Sequence, residues 1–280
     1  MTSLVSTDWL AARARDAAVL ILDASAHLPA TGRDARAEFA AGHIPGARHL
    51  DLASLKDTAS AVPNALPTAD QIGDRLASLG WRPDDLIVLY DDSDVKTSAR
   101  AWFALTRANI ACVILDGGLT RWKSEGRPLA QGADEPAPRA AESLSLREDR
   151  VRSKADILAN IATGAEQVID ARDEGRFTGA TVDTVHGLPG GHIPGARNVF
   201  FRDLYKTDGA FRPPAEMRAL FQQAGVDLSR PIVTSCGSGV TACVLLFALH
   251  ELGVEDAALY DGSWSEWGAD PETPKQTGPA

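Results

Sequence analysis

The chain is written twice. AGHIPGARHL, from Ala41 to Leu50, returns as GGHIPGARNV, from Gly190 to Val199. LILDAS ahead of the first copy matches QVIDAR ahead of the second. DLIVLYDDSDVKTSARAWFAL resembles RPIVTSCGSGVTACVLLFAL, and LDGGLTRW answers YDGSWSEW. Four blocks repeated in one order restrict the chain to two homologous domains in tandem, and 280 residues suit two ordinary domains. Between them QGADEPAPRAAES is polar, Pro- and Ala-rich and without apolar period, as a linker is. The expected division is a domain at 1–130, a linker at 131–144 and a second domain at 145–280. The tail PETPKQTGPA is expected to be loosely held.

Within each half, apolar strand-like runs alternate with helical patterns. In the second half Ser153 caps KADILANIA, EQVIDAR reads as a strand and NVFF as extended. PPAEMRALFQQAG reads as a helix, PIVTS as a buried strand, VTACVLLFALHELG as a helix and AALYDG as a strand. Such alternation builds an α/β domain, a mainly parallel sheet with helices on both faces. Ligands of such sheets bind beyond the carboxyl ends of the strands. The formal net charge of −10 argues against a nucleic-acid or anionic-membrane surface. No apolar run approaches the roughly 20 residues that span a bilayer, and the N-terminus lacks the layout of a secretory signal. These features predict a cytoplasmic protein.

The three cysteines, Cys112, Cys236 and Cys243, match no common zinc spacing. Cys112 and Cys243 fall in apolar runs and read as core filler. Cys236 alone stands at a junction, between the strand PIVTS and a helix expected to begin near Val240. In the loop CGSGVT, Gly237 and Gly239 let successive N–H groups turn inward around the sulfur, with Val240 completing the turn. A helix N-terminus adds orphan donors and partial positive charge, and Ser238 and Thr241 add hydroxyls. All favour a thiolate, which is the nucleophilic form. Asp91 stands 145 residues before Cys236, just as Asp116 stands 145 before Asp261, so a carboxylate occupies the cysteine position in the first copy. The first domain is therefore expected to be catalytically silent.

These motifs carry a family resemblance. The paired HIPGA phrases, CGSGVTA and YDGSWSEW resemble the two-domain rhodanese-like sulfurtransferases over nearly the whole chain. Thiosulfate-using members typically carry Arg and Lys after the cysteine, where this chain has Gly237 and Ser238. CGSGVTA looks like the loop of the 3-mercaptopyruvate branch. The resemblance implies a double displacement. Cys236 takes sulfur from 3-mercaptopyruvate as a persulfide, pyruvate leaves, and a thiophile such as thioredoxin, another thiol or cyanide removes the sulfur. It implies no metal or organic cofactor; a two-domain monomer is the simplest expectation for the chain. Arg176 in DARDEGRF matches the arginine that the family places near the sulfur site, and its planar guanidinium suits a carboxylate. Arg172 and Arg197 are expected to pin loops by hydrogen bonds.

Two departures from the family stand out. The eukaryotic enzymes usually carry a second arginine where this chain has Val185, with His186 beside it, so the clamp is either incomplete or shared by His186. The histidine and acid of a proposed serine relay correspond here to Asn64 and Ala53, which leaves Ser238 as a hydrogen-bond donor or local proton carrier. His43 and His192 recur in both copies although only one copy has the cysteine, so both read as structural. HIPGA reads as a turn into a strand. Trp264 and Trp267 read as packing, with Trp264 the nearer to a pocket.

Two rivals remain. A phosphatase of this fold needs arginine six positions after the cysteine; that position is Ala242, and no arginine follows Arg230. A non-catalytic binding module needs no intact cysteine loop. Thiosulfate sulfurtransferase activity is the nearest enzymatic alternative.

Overall fold

The structure, a computed structural model, describes residues 2–132 and 136–280. Residues 133–135 of the expected linker lie outside the described residues. The chain divides into two compact units. Unit 1 comprises Met1–Asp57, Leu66–Arg147 and Lys206–Phe211; unit 2 comprises Thr58–Ala65, Glu148–Tyr205 and Arg212–Ala280. Each half thus lends a short segment to the unit built mainly from the other.

Unit 1 runs β1 (Leu4–Val5), α1 (Thr7–Arg13), β2 (Val19–Asp23), α2 (Ala35–Ala41), β3 (Arg48–His49), α3 (Ala69–Ser78), β4 (Leu86–Tyr90), α4 (Ser98–Arg107), β5 (Cys112–Leu115) and α5 (Gly118–Ser124). Unit 2 repeats the order. It has β6 (Val151–Arg152), α6 (Lys154–Thr163), β7 (Gln167–Asp170), α7 (Glu174–Thr178), β8 (Arg197–Asn198), α8 (Pro214–Gln223), β9 (Ile232–Ser235), α9 (Ala242–Glu251), β10 (Ala257–Tyr260) and α10 (Ser263–Trp267). The sheets are ordered β1-β5-β4-β2-β3 and β6-β10-β9-β7-β8, and the strand pairs are parallel. After β8 the chain crosses β7 to add β9 on its other side, so the loops leaving β7 and β9 diverge. That divergence is the switch point at which open parallel sheets hold ligands.

The repeated phrases become repeated packing. In each HIPGA the proline is followed by a glycine at positive φ, 82° at Gly46 and 78° at Gly195. The alanine N–H closes the turn on the isoleucine carbonyl, at 2.9 Å for Ala47 and 3.0 Å for Ala196. This is the type II geometry that a Pro-Gly pair favours. His43 and His192 stack on Phe39 and Phe177 at 3.9 Å between ring centroids, and each bonds its partner's carbonyl through Nδ1. Both are buried, as packing groups are.

Where the sequence pattern is weakest, the structure departs from it. The tail is not loose. Thr273 is buried, Trp267 Nε1 donates to Pro274 O at 2.8 Å, and His192 and Gln276 exchange backbone hydrogen bonds at 2.8 and 3.0 Å. A bridge of this kind needs no apolar period in the sequence. The stretch 136–147 has no helix or strand, yet Arg139 N–H donates to Ala77 O and Arg147 N–H to Arg107 O. α9 begins at Ala242 rather than near Val240. NVFF is extended only over β8 and then tightens into a 3₁₀ turn at Phe201–Leu204.

α6 opens with the expected cap. Ser153 Oγ accepts from Asp156 N–H at 3.2 Å, and Asp156 Oδ2 accepts from Ser153 N–H at 2.7 Å. Ser153→Ala is expected to destabilise unit 2 by about 1 kcal/mol, read from its denaturant midpoint.

Candidate functional site

Register fixes the equivalence of the two loops. Asp23 pairs with Tyr90 in unit 1 and Asp170 with Ser235 in unit 2, so Asp91 and Cys236 are each the first residue beyond the strand at the switch point. Their helices begin seven and six residues later, at Ser98 and Ala242. The constant offset of 145 therefore hides a one-residue difference in the loop, compensated after the helix by one extra residue before β10.

In unit 1 the Asp91 carboxylate turns back into its own loop. Oδ1 accepts from Ser93 N–H at 3.0 Å, and Oδ2 accepts from Ser98 N–H, at the start of α4, at 2.7 Å. The loop beyond this strand is thus an anion cradle, and in the first copy the anion is its own side chain.

In unit 2 the corresponding loop carries a buried thiol, whose Sγ has no hydrogen-bond partner among the described residues; the expected N–H contacts to the sulfur are not formed. Cys236 N–H donates to Ser263 Oγ at 3.0 Å, and Ser263 Oγ donates to Tyr260 O at 2.9 Å. Cys236 O and Gly237 O accept from Trp264 N–H at 3.0 Å and Ser265 N–H at 2.7 Å. Ser263 sits at φ 50°, where unit 1 has Gly118 at φ 54°. A non-glycine residue there is strained by roughly 1 kcal/mol or more, and its hydroxyl is what holds the cysteine backbone. Sequence reasoning missed Ser263, although the change from DGG to DGS between the copies was its signal. Gly239 has φ 78° and turns the loop into α9. Val240 O accepts from Cys243 N–H at 3.1 Å, and Cys243 Sγ lies 3.2 Å from Gly239 O. The hydroxyls of Ser238 and Thr241 are partly exposed, and neither has a protein hydrogen-bond partner among the described residues. Asn64, from the Thr58–Ala65 segment of unit 2, donates through Nδ2 to Ser238 O at 3.0 Å. Asn64 thus braces the loop backbone.

A buried charge cluster stands beside the loop. Arg172 is fully buried and grips Asp170 with Nε and Nη2, at 3.1 and 2.7 Å. Its Nη2 also donates to Gly191 O at 2.6 Å, and its guanidinium lies 4.6 Å from the Trp264 ring centre. Arg172 therefore pins loops as expected; Arg197 does not, being exposed with no side-chain hydrogen bond among the described residues. Arg176 is held by Asp173 at 2.5 Å and lies 3.5 Å from Asp183 Oδ1. The same Oδ1 meets His186 Nδ1 at 3.0 Å, while Asp183 Oδ2 lies 3.8 Å from Arg172 Nη1. Val185 is half exposed, at 48%. Trp264 is buried, with Nε1 donating to Pro189 O. Among the described residues no group of three or more His, Cys, Asp or Glu side chains is placed to hold a metal ion. A cavity of about 650 Å³ in unit 2 is lined by Phe177, Arg197 and Leu220 and does not include Cys236.

Burial alone would raise the Asp183 carboxyl. The hydrogen bond to His186 and the charges of His186, Arg176 and Arg172 outweigh it and hold the pKa at about 2, against an ordinary 3.8. A lowered carboxyl stabilises the fold fully above its unfolded value and loses that contribution as pH falls through its folded value. Wild-type unit 2 is therefore expected to lose about 2 kcal/mol from this group between pH 4 and pH 2. In Asp183→Asn that part of the acid dependence is absent. Urea unfolding at a series of pH values reads the difference, and equal slopes in the two proteins would remove Asp183 from the account.

The chain belongs to the rhodanese-like domain family, whose profile matches residues 6–125 and again 153–270. It is 38% identical over 272 residues to 3-mercaptopyruvate sulfurtransferase of Homo sapiens, covering 95% of this chain and 91% of that one. It is 37% identical over 281 residues to thiosulfate sulfurtransferase of Rattus norvegicus, covering 97% and 94%. The structure of SseA from Escherichia coli, described as a 3-mercaptopyruvate sulfotransferase with the "Rhodanese" fold, superposes with a TM-score of 0.85. It is 35% identical and covers 94% of this chain and 99% of its own. No helix among the described residues is long and apolar enough to cross a membrane.

Proposed function

We propose that the protein is a sulfurtransferase that moves sulfur from 3-mercaptopyruvate to a thiophilic acceptor through a persulfide on Cys236. The observation that carries this reading is the loop itself. A single thiol stands at the switch point of a rhodanese-like domain, in a six-residue turn whose two following residues are Gly237 and Ser238. The unit 1 copy illustrates what such a turn binds, since its Ser93 and Ser98 N–H groups clasp a carboxylate. The corresponding N–H groups of Ser238 and Ala242 would support the Cys236 thiolate and then the persulfide anion.

The thiolate attacks the sulfur of the donor. A sulfur–sulfur bond forms, the carbon–sulfur bond breaks, and its electron pair passes to the enolate of pyruvate, which takes up a proton and leaves. The acceptor then attacks the outer sulfur, the sulfur–sulfur bond breaks, and Cys236 returns as thiolate. Two displacements replace one difficult transfer. Arg176 offers its guanidinium to the donor's carboxylate, and Gly237, Ser238, Gly239, Val240 and Thr241 form the cradle. Unit 1, with Asp91, is silent. The acceptor is read as a thiol such as that of thioredoxin, or cyanide in an assay. The chain is read as a cytoplasmic monomer without a cofactor.

The second reading, a thiosulfate sulfurtransferase, draws on the near-equal identity to the rat enzyme. Thiocyanate production from each donor with cyanide separates the two, with pyruvate release measured alongside. Higher kcat/KM with 3-mercaptopyruvate is the expected result. A thiosulfate preference would overturn the donor assignment and retain the persulfide, and turnover of neither would favour a binding module.

A further inference from the structure

Gly237 has no side chain, and the reason lies 51 residues earlier. A Cβ built on Gly237 would overlap Cε1 of His186 and come within 3.0 Å of both ring nitrogens. The imidazole therefore lies directly against the backbone of the residue next to Cys236. The contact closes a chain of polar groups. Asp183, fully buried, holds Nδ1 of the ring at 3.0 Å through Oδ1, and the same oxygen lies 3.5 Å from Arg176 Nη1. His186 N–H also points at Oδ1, at 3.3 Å, so the residue is anchored by main chain and side chain together. The His186 side chain keeps 15% exposure, and its Nε2 has no protein partner among the described residues. One carboxylate thus aligns two side chains, Arg176 and His186, at the edge of the thiol loop.

We propose that His186 is a substrate-binding residue, which receives the donor's carboxylate through Nε2 together with Arg176, and that Gly237 is glycine to leave room for its ring. The proposal rests on the 3-mercaptopyruvate reading and gives that reading its second anion contact, at the position next to Val185. With Nδ1 held at Asp183, the ring turns Nε2 toward the donor's carboxylate, which accepts a hydrogen bond from it. The donor's sulfur is then delivered to Cys236 while its carboxylate lies over Gly237. A side chain at residue 237 displaces the ring, so donor choice depends on residues 186 and 237 as a pair.

The test deletes the two halves of the contact separately. Persulfide formation on Cys236 is followed by mass spectrometry in single turnovers with 3-mercaptopyruvate and with mercaptoacetone, which replaces the carboxylate by a methyl group. Wild type, His186→Ala and Gly237→Ala are compared. Both variants are expected to lose about 10- to 100-fold in rate constant over donor affinity with 3-mercaptopyruvate, the size of one hydrogen bond to a charged group. With mercaptoacetone His186→Ala is expected to stay within about threefold of wild type, because the carboxylate it would have met is gone. Equal losses of His186→Ala with both donors would assign His186 a merely structural role and overturn the proposal, as would no loss with either. Both results leave the donor reading intact, because the wild-type preference for 3-mercaptopyruvate over thiosulfate is measured independently, with thiosulfate run as a third donor and cyanide as acceptor. A wild type that prefers thiosulfate overturns that reading and this inference together.

Discussion

Cys236→Ser is expected to lower sulfur transfer from 3-mercaptopyruvate and from thiosulfate by at least about a thousandfold, because a serine hydroxyl at neutral pH is neither ionised nor able to carry a transferable sulfur. The fold should survive the change. The contacts that place residue 236 are made by its backbone, with Ser263 Oγ and Trp264 N–H as partners, and a hydroxyl is smaller than a thiol. The variant's melting temperature and circular dichroism check that point. The decisive measurement is the intact mass after exposure to donor without acceptor. Wild type gains one sulfur atom, and the variant does not. Turnover that persists in the variant would remove Cys236 from the chemistry and send the search to Cys243, the other thiol on this loop and helix.

The second large effect is on stability. Arg172→Ser installs the residue that unit 1 carries at the matching position, Ser25, and is expected to destabilise unit 2 by about 3–5 kcal/mol. Arg172 is fully buried between Asp170 and Asp183, which are themselves buried. Removing the guanidinium leaves the buried Asp170 carboxylate without the counter-charge that grips it and takes one of three partners from Asp183. Denaturant unfolding followed through tryptophan fluorescence reads the unit 2 transition, since Trp264 lies under the guanidinium. Adding Asp170→Asn to Arg172→Ser should return part of the loss, which identifies uncompensated charge rather than lost packing as the cause. A loss below about 1 kcal/mol, typical of exposed pairs, would show that water reaches the cluster.

Much of the architecture was legible because it is periodic. Repetition of HIPGA and the alternation of apolar runs specify two parallel-sheet domains, and the Gly-rich turn after PIVTS marks the thiol. What was not legible depends on contacts between distant segments. Nothing in GSGVT announces that Gly237 must accommodate a ring from residue 186. Asn64 could be matched to a missing histidine, but its bond to Ser238 O requires the Thr58–Ala65 segment to pack with unit 2. The tail resembles a disordered end in composition, and its order comes from hydrogen bonds to residues near 192 and 178. The equal offsets of the two aspartates concealed two opposite one-residue shifts, which only strand register separates.

The Asp91 loop has a consequence for how a duplicated domain ages. A cradle of inward N–H groups is stable only when something negative lies in it. On the proposed mechanism the second copy generates its own anion afresh in each cycle, whereas the first carries one permanently as part of its sequence. Such a loop is a plugged socket: it keeps its shape without turnover and without ligand, and no exogenous anion can enter while the plug is in place. A copy without the thiol thus keeps the architecture. Giving it the chemistry proposed for unit 2 would take more than exchanging aspartate for cysteine, because its loop before α4 is one residue longer.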